Sequence, residues 1–131
     1  MKVCIDTNAY SAFKRGEASV TAIMESAAEL LVPVVVLGEL HAGFQVGDRA
    51  EGNTRELEEF LGRPGVTVVN VDPRVAERYG LLFKALKAMG RPVPTNDLWI
   101  AAVAVETGSR VLTADAHFDL IPGVFRLTGS A

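Results

Sequence analysis

Asp6, Glu39, Asp97 and Asp115 each stand where the sequence pattern hands a strand over to a helix, or where a helix begins. A parallel α/β sheet gathers such positions along one edge, in the crevice beyond the carboxyl ends of its strands. Acids brought that close repel, so some must protonate or acquire a cation. Oxygen-only ligands with no second His or Cys beside them select Mg²⁺ or Mn²⁺ over Zn²⁺. A hard divalent ion activates water and clamps the oxygens of an in-line phosphoryl displacement. The pattern therefore predicts a metal-dependent enzyme acting on phosphate esters.

The elements that must position these acids follow from the apolar spacing. Residues 2–5 read as a short buried strand, stopped by the helix-capping types Asp6, Thr7 and Asn8. Helical pattern runs on to about Glu29, with a turn near Gly16. A second strand is expected over 30–34, ending near Pro33, and helical spacing starts at Val35. Residues 48–61 form a polar helix with Leu57, Phe60 and Leu61 inward, stopped by Gly62. A strand over 66–71 precedes a helix over 73–89, closed by Gly90 and Pro92. Thr95 and Asn96 are expected to cap a helix over 97–107, with strands at 110–113 and 124–127 after it. Strands alternating with helices, with Val-rich strand runs, predict a three-layer α/β/α sandwich around a mostly parallel sheet, in one domain over 1–131.

The bulk numbers agree. The 131 residues suit a single core, and 49% hydrophobic against 22% charged is globular composition. A net charge of −3 argues against holding nucleic acid by bulk charge alone, but divalent ions would reverse the sign locally. The apolar run over 30–38 falls short of the roughly 18–20 residues that cross a bilayer. Asp6 comes too early for the apolar segment of a signal peptide, and a lone cysteine, Cys4, fits a reducing cytoplasm. Flanked by Val3 and Ile5, Cys4 reads as a small buried hydrophobe.

Each acid also has a plainer role. Asp6 suits a helix cap, Asp97 complements a helix dipole, and Asp119 rivals Asp115 for the turn after the fourth strand. Glu39, set among Val34, Val35, Val36, Leu37 and Leu40, needs a partner, since an unpaired acid there is costly. His41 and His117 read as surface or cap residues, and Trp99 as core packing beside Asp97. Arg74, Arg78, Lys84, Lys87 and Arg91 at helical spacing form either a solvated face or an RNA-tracking stripe.

Four segments in order, V-C-I-D6-T-N, V-V-V-L-G-E39-L, N-D97-L-W-I-A-A and L-T-A-D115-A-H-F, resemble the PIN-domain family, and more narrowly its VapC-type ribonuclease toxins from toxin–antitoxin pairs. The resemblance spans nearly the whole chain. It implies that Asp6, Glu39, Asp97 and Asp115 are an acidic quartet, with Asp6 and Asp97 the firmest Mg²⁺ (or Mn²⁺) ligands. Asp115 would complete the site, and Glu39 would bind metal or orient water. Thr7, Asn8 and Thr113 would hold the carboxylates in place. Also implied are attack of activated water on an RNA phosphodiester, leaving a 5′-phosphate and a 3′-hydroxyl, and a homodimer. A small VapB-like antitoxin would block the notch and bring operator DNA through its own N-terminal part.

Other α/β enzymes fit less well. A haloacid-dehalogenase-type phosphatase needs a second Asp two residues after the first, where Asn8 stands. A receiver domain wants an acidic pair at the first strand and a Lys after the fifth, and neither is present. A non-catalytic binding module would be expected to have lost an acid. An RNA-processing or decay nuclease outside any toxin–antitoxin pair remains the alternative within the family.

Overall fold

The computed structural model describes residues 1–129. Five strands, β1 (Lys2–Ile5), β2 (Glu29–Pro33), β3 (Val66–Val69), β4 (Arg110–Leu112) and β5 (Arg126–Leu127), form one sheet in the order β3-β2-β1-β4-β5. Every pairing is parallel: Cys4 lies between Leu31 and Val111, and Leu31 pairs with Thr67. The helices are α1 (Thr7–Lys14), α2 (Ala18–Ser26), α3 (Val34–Val46), α4 (Ala50–Leu61), α5 (Pro73–Ala88) and α6 (Thr95–Thr107), with a 3-10 turn over Ala116–Leu120. This is the expected α/β architecture.

Connections β1 to β2 and β2 to β3 step one way along the sheet, whereas β3 to β4 steps back past β1. Right-handed crossovers then put α1 to α4 on one face and α5 with α6 on the other. The reversal lies between β1 and β4, which is where an open parallel sheet leaves its crevice. Asp6 directly follows β1 there, and Thr113 directly follows β4.

The core explains the strand sequences. Val3, Cys4, Ile5, Val32, Val111 and Leu112 are almost completely buried, sandwiched between Val36 and Leu57 and the apolar run over 100–104 of α6. Leaving water with no charge nearby to favour the thiolate, Cys4 has its thiol pushed up to about 12, first by burial and then by Asp6. Gly108, at φ +67, closes α6 in a left-handed conformation that turns the chain into β4.

Three local readings differ. Pro33 is the last residue of β2 and the cap of α3, so helix begins at Val34, one residue before the expected start. Strand β3 stops at Val69 and lies at the sheet edge with Val68 part exposed, so it is less covered than a continuous Val run implies. Pro94, not Thr95 or Asn96, occupies the cap of α6, and no side chain bonds the free amides there.

Candidate metal centre

Asp6 is fixed from two sides. Its side chain caps α1 by accepting from the Ala9 amide at 2.8 Å, and it also takes a hydrogen bond from the Thr113 hydroxyl. Thr113 in turn accepts from the Asp115 amide at 3.0 Å, so one buried hydroxyl couples the ends of β1 and β4. Only 5% of Asp6 is exposed. Burial raises its carboxyl above the ordinary value; Thr113 and the Ala9 amide oppose this, while Asp97 and Asp115 add to it.

Glu39 lies on α3, one turn past the end of β2. Its partners are neutral donors rather than a stray base: Thr7 Oγ1 donates to Oε1 at 2.7 Å, and Asn96 Nδ2 approaches Oε2 at 3.5 Å. The first turns of α1 and α6 are thereby tied to the second turn of α3. Asn96 serves here as a support for Glu39, not as the cap that its type suggested.

Asp97 is the third residue of α6 and Asp115 is the cap of the 3-10 turn. His117 stands between them, with Nε2 2.6 Å from Asp97 Oδ2 and Nδ1 2.5 Å from Asp115 Oδ1. This corrects the reading of His117 as a surface or cap residue. The tight turn is the reason: Asp115 Oδ1 accepts the His117 amide at 3.2 Å, which folds the ring back over the cap. Burial raises the Asp97 carboxyl, His117 opposes that, and Asp115 and Glu39 reinforce it.

The four acids predicted from sequence thus feel one another at a single sheet edge, Asp6 with Asp97 and Asp115, and Asp97 with Glu39. Ligand atoms of Asp97, Asp115 and His117 all lie within 4.8 Å of one another, close enough for one divalent ion. Carboxyls raised by burial and by like charges are relieved when a cation binds among them, so the donor set fits such an ion.

The remaining candidates fall elsewhere. Asp119 is drawn away by Arg126, and Asn8 is exposed beside a hollow formed with Arg15, Glu17 and Thr113 rather than bonded to a carboxylate. His41 is exposed with its ring edge-on to Phe44. Trp99 stacks on Tyr79 with centroids 3.9 Å apart, a packing role as expected. Of the α5 bases, Arg78 pairs with Glu106 at 3.1 Å.

The family model of the PIN domain matches residues 3–124. This chain belongs to the PIN-domain family. Among curated PIN relatives it is 36% identical over 97 residues to "Ribonuclease VapC4" of Mycobacterium tuberculosis, covering 74% of this chain and 75% of that protein. It is 27% identical to "Ribonuclease VapC2" of Haemophilus influenzae, over 82% of each chain. In fold it is similar to the VapBC2 structure from Rickettsia felis bound to a promoter DNA fragment, with TM-score 0.87, 24% identity and 98% of each chain covered. The DNA-bound VapBC structure from Salmonella typhimurium superposes with TM-score 0.88 at 24% identity, again over 98% of each chain. Among the described residues, no helix is long and apolar enough to cross a membrane.

Proposed function

We propose that this PIN-domain chain is a divalent-metal-dependent endoribonuclease and the toxin of a toxin–antitoxin pair. The observation that carries the reading is the meeting of Asp6, Glu39, Asp97 and Asp115, from four separate elements, at the switch point of a parallel sheet. The similarity to proteins named ribonuclease VapC supplies the substrate class.

Asp6, Asp97 and Asp115 are the residues that would hold Mg²⁺ or Mn²⁺. When bound, the ion supplies neutralisation of phosphate charge and activation of water for in-line attack. Thr113 holds Asp6 in one orientation, and Thr7 with Asn96 holds Glu39, where its free lone pairs can orient the attacking water. Exposed amides at the start of α6 favour the phosphate itself, since no side chain caps them. Cleavage leaves a 5′-phosphate and a 3′-hydroxyl.

The partner is a small antitoxin that occupies the notch and brings operator DNA through its own domain, and the toxin acts as a homodimer. Support for the partner comes from neighbours of the same fold that are toxin–antitoxin complexes, some bound to DNA. The test is RNA cleavage by purified antitoxin-free protein with Mg²⁺, Mn²⁺ or EDTA, alongside Asp6→Asn and Asp97→Asn. Metal-dependent cutting, lost in both folded variants, is the expected result. Equal cutting in all three proteins would overturn the assignment.

A further inference from the structure

The family resemblance makes the metal site a set of oxygens. His117 gives this chain a different donor set. Its two ring nitrogens face two of the carboxylates assigned to the metal, at 2.6 Å from Asp97 and 2.5 Å from Asp115. One ligand atom from each of the three residues falls within 4.8 Å of the others, so an ion seated between the two carboxylates is also within reach of a ring nitrogen.

The ring is not a loose surface side chain. It lies nearly parallel to Phe118, 16° between planes at 5.3 Å, and Phe118 is 1% exposed. The Asp115 cap fixes the backbone of the same turn, through the His117 amide. Backbone and ring are therefore both held before any ion arrives, as a ligand must be to bind without an ordering penalty. One nitrogen can bind the ion while the other keeps its bond to the remaining carboxylate, an arrangement that raises the basicity of the ligating nitrogen.

We propose that His117 is a metal ligand, joining Asp97 and Asp115, and that it makes this centre prefer a first-row transition ion such as Mn²⁺ over Mg²⁺. The preference follows from donor chemistry. Mg²⁺ favours oxygen donors and gives up its waters reluctantly, so an imidazole adds little to its binding. First-row ions accept imidazole nitrogen in an order that rises from Mn²⁺. The inference rests on the metal-centre reading above and sharpens it: the same site, with one nitrogen in it.

The test loads tag-free protein with Mn²⁺ alone and records electron spin-echo modulation from ¹⁴N. Calorimetric titrations with Mn²⁺ and with Mg²⁺ follow for wild type, His117→Ala, Asp97→Asn and a His41→Ala control. Expected are ¹⁴N coupling in wild type and in His41→Ala, and its loss in His117→Ala. Mn²⁺ affinity should fall at least about tenfold in His117→Ala while Mg²⁺ affinity changes little. Mn²⁺ bound without ¹⁴N coupling would overturn the proposal and leave an all-oxygen site. So would an equal loss of both affinities, which marks a residue that only positions carboxylates. Failure of folded wild type to bind either ion would overturn the metal centre itself. The wild-type spectrum decides the nitrogen question even if His117→Ala does not fold.

Discussion

Asp119 and Arg126 face each other through two parallel bonds, Nε to Oδ1 and Nη2 to Oδ2, both 3.0 Å. The same guanidinium reaches the Thr113 carbonyl at 3.4 Å, so the pair clamps the turn after β4 to β5. Arg126 holds the Asp119 carboxyl below its ordinary value, chiefly through the hydrogen bonds. Two acids of the same turn thus have opposite surroundings, one facing a base and the other facing acids and His117. The expected outcome is that Asp119→Asn retains RNA cleavage within a few-fold of wild type, whereas Asp115→Asn loses at least the roughly 10–100-fold that removing even a group that orients a ligand costs. Initial rates on one RNA with Mn²⁺ separate the two. Comparable losses would mean that Asp119 turns inward when the ion binds.

Thr113 is 1% exposed and its hydroxyl serves both Asp6 and the Asp115 amide. Thr113→Val keeps the shape and removes both bonds. Leaving an acid and an amide partly unsatisfied costs about 1–3 kcal/mol of stability. Metal affinity should drop about 10–100-fold, in the range for residues that orient ligands. Denaturant unfolding and calorimetry check the two effects, and Thr113→Ser should recover much of each.

Much of this was legible in the chain. Val3-Cys4-Ile5 followed by Asp6-Thr7-Asn8 can hardly be other than a buried strand ending in a cap, and β1, α1 and the Asp6 cap follow that reading. Asp6, Asp97 and Asp115 converge because each is tied to an element end, which period and capping types reveal, and Glu39 joins them from the second turn of α3. What escaped depends on side-chain direction within a short turn or on competition at a helix end. His117 turns inward because a 3-10 turn of five residues returns position 117 over its own cap, and helical or strand periods do not carry that information. Asn96 is a good capping type but leaves that role to Pro94, because Glu39 on a neighbouring helix is within its reach. The exposure of β3 follows from its place at the sheet edge, which strand order sets and local sequence does not.

The raised carboxyls of Asp6 and Asp97 fix the sign of a pH effect. In the folded chain both hold protons above their ordinary value of 3.8, chiefly because burial disfavours the charge. Over that window the folded state binds more protons than the unfolded one, so metal-free stability falls as pH rises through the raised values. Added Mn²⁺ or Mg²⁺ should reverse the trend, since the ion binds the ionised carboxylates and stabilises only the folded state. Thermal melts from mildly acidic to neutral pH, with EDTA and with Mn²⁺, should diverge as pH rises. Asp6→Asn keeps a capping side chain, so its metal-free stability should stay within about 1 kcal/mol of wild type. Its response to pH and to the ion should shrink. Melts that run parallel with and without ion would contradict the site.

Lys84 and Lys87 on α5, and Arg91 in the segment after it, show no ion pair among the described residues, whereas Arg78 on α5 is neutralised by Glu106. Lys87 and Arg91 border an apolar hollow of about 330 Å³ with Phe83, Leu86, Pro92 and Leu98, and Leu98 directly follows Asp97. On the proposed nuclease reading, the cations bordering this hollow would hold phosphates flanking the bond to be cut, in a chain whose net charge of −3 otherwise repels them. Charge reversal in Lys87→Glu with Arg91→Glu should raise the KM for RNA by about tenfold at low salt and leave kcat nearly unchanged. For every phosphate that the variant no longer neutralises, the dependence of log KM on log salt should also flatten by roughly 0.7. Mn²⁺ affinity should not move, because neither base touches the acids. An unchanged KM would assign this face to solvent, and a fall in kcat alone would show that the substitutions disturb α6 and the site it carries.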